Sequence, residues 1–286
     1  MAIFTHDSSR KNGEKMNLTF TKMQGAGNDF IVMDIALLPQ EISPQQIRFL
    51  CDRHRGVGAD GVILLEKASV CGSPHKMFFF NNDGSPADAC GNGLRCAASF
   101  LSCLTGERTL QIHCGKELFH AEICSGDLSR VSVLLPLGEP FTKVDLPEGF
   151  TVYKGVAGVP HGVLLCSGDP ESFDVENTGR FLRNHKVFAP EGINVDFLWP
   201  DPEKGIVTIR TYERGVEAET LACGTGCSSA GVVLHQFFHF PEKVSFLCRG
   251  KECITVEILK DCSKLSTQKI LLTGPAQRVF EGTVEL

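Results

Sequence analysis

Ala89-Cys90-Gly91-Asn92-Gly93 and Ala222-Cys223-Gly224-Thr225-Gly226 are two versions of one pentapeptide. Each opens a long apolar run without proline, about 91–104 and about 224–238, and these runs predict two buried helices. The cysteines stand 133 residues apart (223 minus 90). The same offset carries Asn28, in Gly-Asn-Asp-Phe-Ile-Val, onto His161, in Pro-His-Gly-Val-Leu-Leu. It carries Gly61-Val-Ile-Leu-Leu onto Asn194-Val-Asp-Phe-Leu, and the turn around Asn81 onto Glu213-Arg214-Gly215 after a slip of one or two residues. Four landmarks in one order predict an internal duplication rather than a chance pentapeptide.

Between the landmarks, short β-rich runs alternate with Gly, Asn, Asp and Pro, the pattern of strands and turns. Candidate strands are Phe30–Met33, Val62–Leu65, Met77–Phe80, Val131–Leu135, Ile206–Arg210, Lys243–Cys248, Ile254–Leu259 and Lys269–Thr273. Pro44–Arg53 and Glu176–Lys186 read as amphipathic surface helices. Pro and Gly cluster at Pro136–Pro140, where a hinge between halves is expected. Two related halves would bring both Cys-Gly-x-Gly turns to a shared cleft.

Composition narrows the function. With 28 Lys+Arg against 34 Asp+Glu and a net charge of -6, the chain lacks the basic footprint of a nucleic-acid or anionic-membrane binder. Its apolar runs fall far short of the ~20 residues of a membrane-spanning helix. Thirteen cysteines cannot all pair within one chain, and Cys-x-x-Cys spacing does not occur. Reduced thiols in a cytoplasmic protein are the expectation. Residues 1–16 read as a disordered extension without the apolar stretch of a secretory signal. Gly25-Ala-Gly-Asn and Gly56-Val-Gly-Ala-Asp-Gly depart from the spacing of nucleotide-binding loops.

The chemistry points to the two turns. The first N–H groups of a helix lack internal partners and carry the positive end of its dipole, so they attract anions. Glycine lets a carboxylate approach that backbone closely. A cysteine in the same field is expected to have its thiolate favoured. Two such turns sharing one ligand would grip a carboxylate and place a sulfur on either face of the attached carbon. That arrangement suits stereoinversion: one thiolate removes the α-proton, and a thiol on the other face returns one. Cys96 and Cys227, one turn deeper, read as core, and the remaining cysteines as structural.

From about Leu18 to its C-terminus the chain resembles the diaminopimelate epimerase family. The carriers are Gly27-Asn-Asp-Phe, Asp52-Arg-His, Gly58-Ala-Asp-Gly, Asn81-x-Asp-Gly, Ala89-Cys-Gly-Asn-Gly-x-Arg-Cys, Pro160-His, Asn194-Val, Glu213-Arg-Gly and Glu219-Thr-Leu-Ala-Cys-Gly-Thr-Gly. Glu-Arg-Gly followed by Ala-Cys-Gly-Thr-Gly sets this group apart from proline racemase-like and phenazine-pathway relatives. The resemblance implies an α+β fold of two pseudo-symmetric domains, each a β-barrel-like mixed sheet around a central helix, with the active site in the interdomain cleft. The expected division is 17–136 with Cys90, 137–275 with Cys223, and 276–286 as a strand returning to the first domain.

The resemblance further implies inversion of LL- to meso-diaminopimelate for lysine and peptidoglycan synthesis, without pyridoxal phosphate or metal. Cys90 and Cys223 would be the acid/base pair, with His161 and Glu213 beside them. Gly91, Asn92, Gly224 and Thr225 would hold the α-carboxylate. Asn28, Asn81, Asn194, Glu213 and Arg214 would hold the amino groups and the distal carboxylate, the Arg fork matching a carboxylate. The implied partner is a small amino acid, not nucleic acid or membrane, and a homodimer is compatible with it. Two departures stand near the recognition side: Val159 replaces the usual Asn before Pro160, and Gly215-Val-Glu-Ala-Glu is one residue longer than usual. Both predict a somewhat broader amino-acid range. The competing readings are an isomerase of another small amino acid on the same fold, and a thiol redox or metal-binding protein.

Overall fold

The structure, a computed structural model, describes residues 16–87, 90–201, 203, 205–259 and 269–286. The chain forms two compact units, residues 1–131 with 276–286, and residues 132–275.

The first unit contains β1 (Asn17–Gly25), β2 (Asn28–Asp34), α1 (Pro44–Cys51), β3 (Gly61–Glu66), β4 (His75–Asn81), β5 (Pro86–Ala87), α2 (Gly91–Thr105), β6 (Thr109–Cys114) and β7 (Glu117–Ile123). β1–β2, β3–β4, β4–β5 and β6–β7 pair antiparallel, whereas β2–β3 and β4–β6 are parallel. Helix α2 packs on β1, β2, β3, β6 and β7, so the sheet wraps it. Every α2 residue from Gly91 to Leu101 is buried, as an all-round apolar helix requires. The run Gly-Val-Ile-Leu-Leu of β3 lies between α1 and α2, which explains a strand without polar alternation. Ser43 and Gln46 form a capping box at the start of α1, with Pro44 in its first turn.

The second unit repeats this plan. It contains most of β8 (Arg130–Pro136), and β9 (Thr142–Asp145), β10 (Thr151–Ala157), β11 (Val159–Leu165), α3 (Val175–Arg183), β12 (Asn194–Asp201), β13 (Ile206–Glu213), β14 (Ala218–Thr220), α4 (Gly224–Phe238), β15 (Lys243–Leu247), β16 (Cys253–Leu259) and β17 (Lys269–Pro275). β10–β11, β12–β13, β13–β14 and β15–β16 are antiparallel, and β11–β12 and β13–β15 parallel, the same sequence of senses. Helix α4 packs on β10, β11, β12, β15, β16 and β17. Even the outer strand repeats: β9 pairs with β10 as β18 (Gln277–Glu285) pairs with β1. The expected duplication is therefore a property of the fold.

Two expectations change. Residues 1–15 lie outside the described residues, but Met16, the last of the expected extension, is buried and pairs with Leu286 in both directions. Its side chain joins the core of Leu18, Phe20, Ile31 and Leu64. The units divide between Val131 and Ser132, ahead of the Pro136–Pro140 cluster, because β8 pairs with β17 of the second unit. Among the described residues no helix is long and apolar enough to cross a membrane.

Candidate active site

Both signature cysteines are helix N-caps. In the first unit Cys90 has extended backbone, and its Sγ accepts the Gly93 N–H at 3.2 Å. Asn92, on the first turn of α2, donates from Nδ2 to Asn28 Oδ1 at 2.5 Å. Its own Oδ1 accepts from buried Arg95 at 2.8 Å. Asn28, at the start of β2, donates from Nδ2 to Asp60 at 3.1 Å. Asp60 is fixed in turn by Arg53, which bridges it to Asp29, and Lys22 also reaches Asp29. Burial works against the Asp29 charge, but hydrogen bonds and attraction from Arg53 and Lys22 hold its carboxyl well below the usual range. Asn81 ends β4, and its side chain donates to Ser85 Oγ at 3.1 Å within the β4–β5 turn.

In the second unit Cys223 caps α4, and its Sγ accepts the Gly226 N–H at 3.4 Å. The Thr225 hydroxyl lies 3.3 Å from that sulfur and 3.0 Å from His161 Nε2. His161 Nδ1 meets Asp196 Oδ2 at 2.7 Å, with both side chains wholly buried. Asn194, beside His161 on the parallel neighbour strand, places Nδ2 3.3 Å from His161 Nε2. Its Oδ1 accepts the Arg214 N–H at 2.7 Å. The Arg214 guanidinium reaches the Glu191 carbonyl at 3.4 Å.

At the offset of 133, Asn92 with Asn28 and Thr225 with His161 are the same contact in two chemistries, amide in one unit and titratable in the other. The sequence assigned roles to these residues but none to Asp196, Asp60 or Arg53, although Asp52-Arg-His and Gly58-Ala-Asp-Gly carry the last two. Asp196 left a signal: a carboxylate inside the apolar run Val195–Trp199, two residues after Asn194 and so on the same face of β12.

The turn does not favour the Cys223 thiolate as expected. Burial pushes the thiol well above its ordinary value, and the Glu213 and Asp196 carboxylates push it further. These outweigh the hydrogen bonds from Thr225 and the Gly226 N–H, so Cys223 rests as a thiol. Cys96 and Cys227 are fully buried, as expected for core, but Cys71 and Cys103 are exposed rather than structural; Cys262 lies outside the described residues. Among the described residues the cysteines form no disulfide. The long Glu213–Cys223 segment forms a tight turn: Glu217 takes a left-handed φ of 57°, its N–H bonds the Glu213 carbonyl, and its own carbonyl accepts the Tyr212 hydroxyl. Val159 opens β11 opposite Ala157.

The second glycine is required in one turn and not in the other. A Cβ at Gly226 would collide with Asp196 Oδ1, whereas one at Gly93 would meet Cys90 Sγ at 3.2 Å and the flexible Met77 end at 3.4 Å. Gly226→Ala is therefore expected to destabilise the fold by about 1–3 kcal/mol. Gly93→Ala should be near neutral, because a gain of up to ~1 kcal/mol in helix propensity offsets its milder crowding. Urea midpoints of the two variants check this; equal midpoints would mean Asp196 is not packed against α4.

The arrangement of mixed strands around a buried helix is that of known epimerase and isomerase structures. The hydroxyproline epimerase from Agrobacterium vitis superposes with a TM-score of 0.65 at 18% identity, covering 95% of this chain and 93% of that one. The Bacillus anthracis phenazine biosynthesis protein does so at 0.70 and 14%, covering 94% and 99%. These likenesses define the fold. The family comes from sequence: the diaminopimelate epimerase model matches residues 20–140. The diaminopimelate epimerase of Hydrogenobaculum sp. (strain Y04AAS1) is 37% identical over 93% of this chain and 98% of its own length. That of Archaeoglobus fulgidus is 33% identical over 95% and 98%. The chain belongs to the diaminopimelate epimerase family.

Proposed function

We propose that this protein inverts one α-carbon of LL-diaminopimelate to give the meso isomer, using Cys90 and Cys223 as its two proton carriers. The observation that carries the reading is the pair of capping cysteines: each occupies the same position at the N-terminus of the same helix in two copies of one fold. Family membership supplies the substrate, as its relatives bear the name diaminopimelate epimerase.

Cys223, held protonated by burial and by Glu213 and Asp196, is the proton donor. The abstracting role in that direction falls to Cys90, whose sulfur accepts the Gly93 N–H. The Cys90 thiolate takes the α-proton as S–H while Cys223 delivers its proton to the opposite face. The developing negative charge spreads into the α-carboxylate, which the N–H groups of Gly91, Asn92, Gly224 and Thr225 stabilise. Asn28, Asn81, Asn194, Glu213 and Arg214 hold the amino groups and the distal carboxylate. Asn28 and Asn194 suit this task because each is already fixed by a neighbour. The reaction belongs to the cytoplasm, where free thiols persist.

Incubation with LL-diaminopimelate in deuterated water tests the reading. A single deuterium should enter at the inverted α-carbon, delivered by a solvent-exchanged thiol. Inversion without label, or label without inversion, would exclude two-thiol transfer.

A further inference from the structure

When the proposed reaction runs from the meso isomer back to LL, Cys223 is the base and must first give up its thiol proton. The second unit holds an unbroken chain from that sulfur to a buried carboxylate: Cys223 Sγ, Thr225 Oγ1, His161 Nε2, then His161 Nδ1 to Asp196, at 3.3, 3.0 and 2.7 Å. Its resting proton arrangement can be derived. The Arg214 N–H occupies Asn194 Oδ1, which turns the Asn194 amide so that Nδ2 donates toward His161 Nε2. Nε2 is therefore an acceptor, and Nδ1 carries the proton given to Asp196. Thr225 then donates to Nε2 and accepts from the Cys223 thiol. The other Asp196 oxygen accepts the Thr211 hydroxyl at 2.7 Å, which fixes the carboxylate. In the first unit the matching positions are Asn92 and Asn28, two amides that do not exchange a proton.

We propose that Asp196 is a positioning residue which, through His161 and the Thr225 hydroxyl, forms a proton relay serving Cys223. When Cys223 acts as base, its S–H proton passes to Thr225 Oγ1 while the Thr225 proton passes to His161 Nε2, leaving thiolate and imidazolium. The reverse transfer returns thiolate and imidazolium to the resting thiol and neutral imidazole. Atoms and charge balance at each stage, and Asp196 stabilises the imidazolium. The groups bearing on the relay are Asp196 of β12, Glu213 of β13, and Cys227 one turn along α4.

This inference rests on the two-thiol reading, but its test does not need turnover. Asp196 as a bare negative charge would disfavour the Cys223 thiolate, so Asp196→Asn would then speed alkylation of that sulfur. As the anchor of a relay, Asp196 favours thiolate paired with imidazolium, and Asp196→Asn must slow it. The rate of iodoacetamide capture at Cys223, read by fragment-ion mapping near neutral pH, separates the two by sign. A fall of about tenfold in Asp196→Asn, largely restored in Asp196→Glu, is the expected result. An unchanged or faster rate overturns the relay.

If Asp196→Asn loses its native circular dichroism, Thr225→Val and Thr225→Ser decide the matter. Slow capture in the Val variant with normal capture in the Ser variant supports the relay, and equal rates overturn it. With substrate, Asp196→Asn should lower kcat about a hundredfold with KM little changed. Wild-type protein that shows the capture behaviour but leaves diaminopimelate unlabelled would overturn the proposed function while leaving the relay standing.

Discussion

Cys90→Ser and Cys223→Ser should each lower epimerisation about a thousandfold while leaving the fold native. The magnitude is that of losing a positioned acid or base, ~10²–10⁴. A serine hydroxyl is a far weaker acid than a thiol and a poor base near neutral pH, so it can neither remove nor return the α-proton at a useful rate. The fold should survive because serine is a favoured N-cap. Its Oγ can accept the Gly93 or Gly226 N–H that the sulfur accepts now. Alanine would remove the cap as well as the acid, so serine isolates the chemistry. Circular dichroism and the deuterium assay together check the expectation. Either variant keeping near-normal turnover would remove its cysteine from the mechanism.

A second large effect concerns stability at alkaline pH. Burial pushes the Cys51 thiol up to about 11 and the Cys96 thiol up to about 12, from an ordinary value of 9.0. Below pH 9 both thiols are protonated in the folded and unfolded chains, and their contribution is fully present. Above pH 9 the unfolded chain releases these protons while the folded chain keeps them, so stability falls with rising pH. Each thiol loses about 1.4 kcal/mol per pH unit, Cys51 until pH 11 and Cys96 until pH 12. By pH 11 the two together cost about 5 kcal/mol, comparable with the whole stability of many domains. Urea unfolding at pH 8, 9.5 and 10.5 should show a steep decline. The double variant Cys51→Ala, Cys96→Ala should start less stable at pH 8 and decline less steeply. A flat profile in the parent protein would mean these thiols are hydrated.

The sequence by itself determined the duplication, both central helices and the two capping cysteines. These are local signals: helix α4 begins and ends where its pattern does, because glycine, cysteine and an apolar run act within a few residues. The asparagines and His161 were legible for a related reason, since a repeat marks the positions that its two copies share. Tertiary structure decided the rest. Asp196 gains its meaning only when β12 lies beside β11 and against α4, which brings it to His161, 35 residues away. The same packing reverses the expected state of Cys223. A helix N-terminus favours a thiolate, but burial and two carboxylates from β12 and β13 outweigh it. Met16 turned from extension to core because its strand partner, Leu286, stands at the far end of the chain. Desolvation and opposing charge depend on which distant segments pack together, and no window along the sequence contains them.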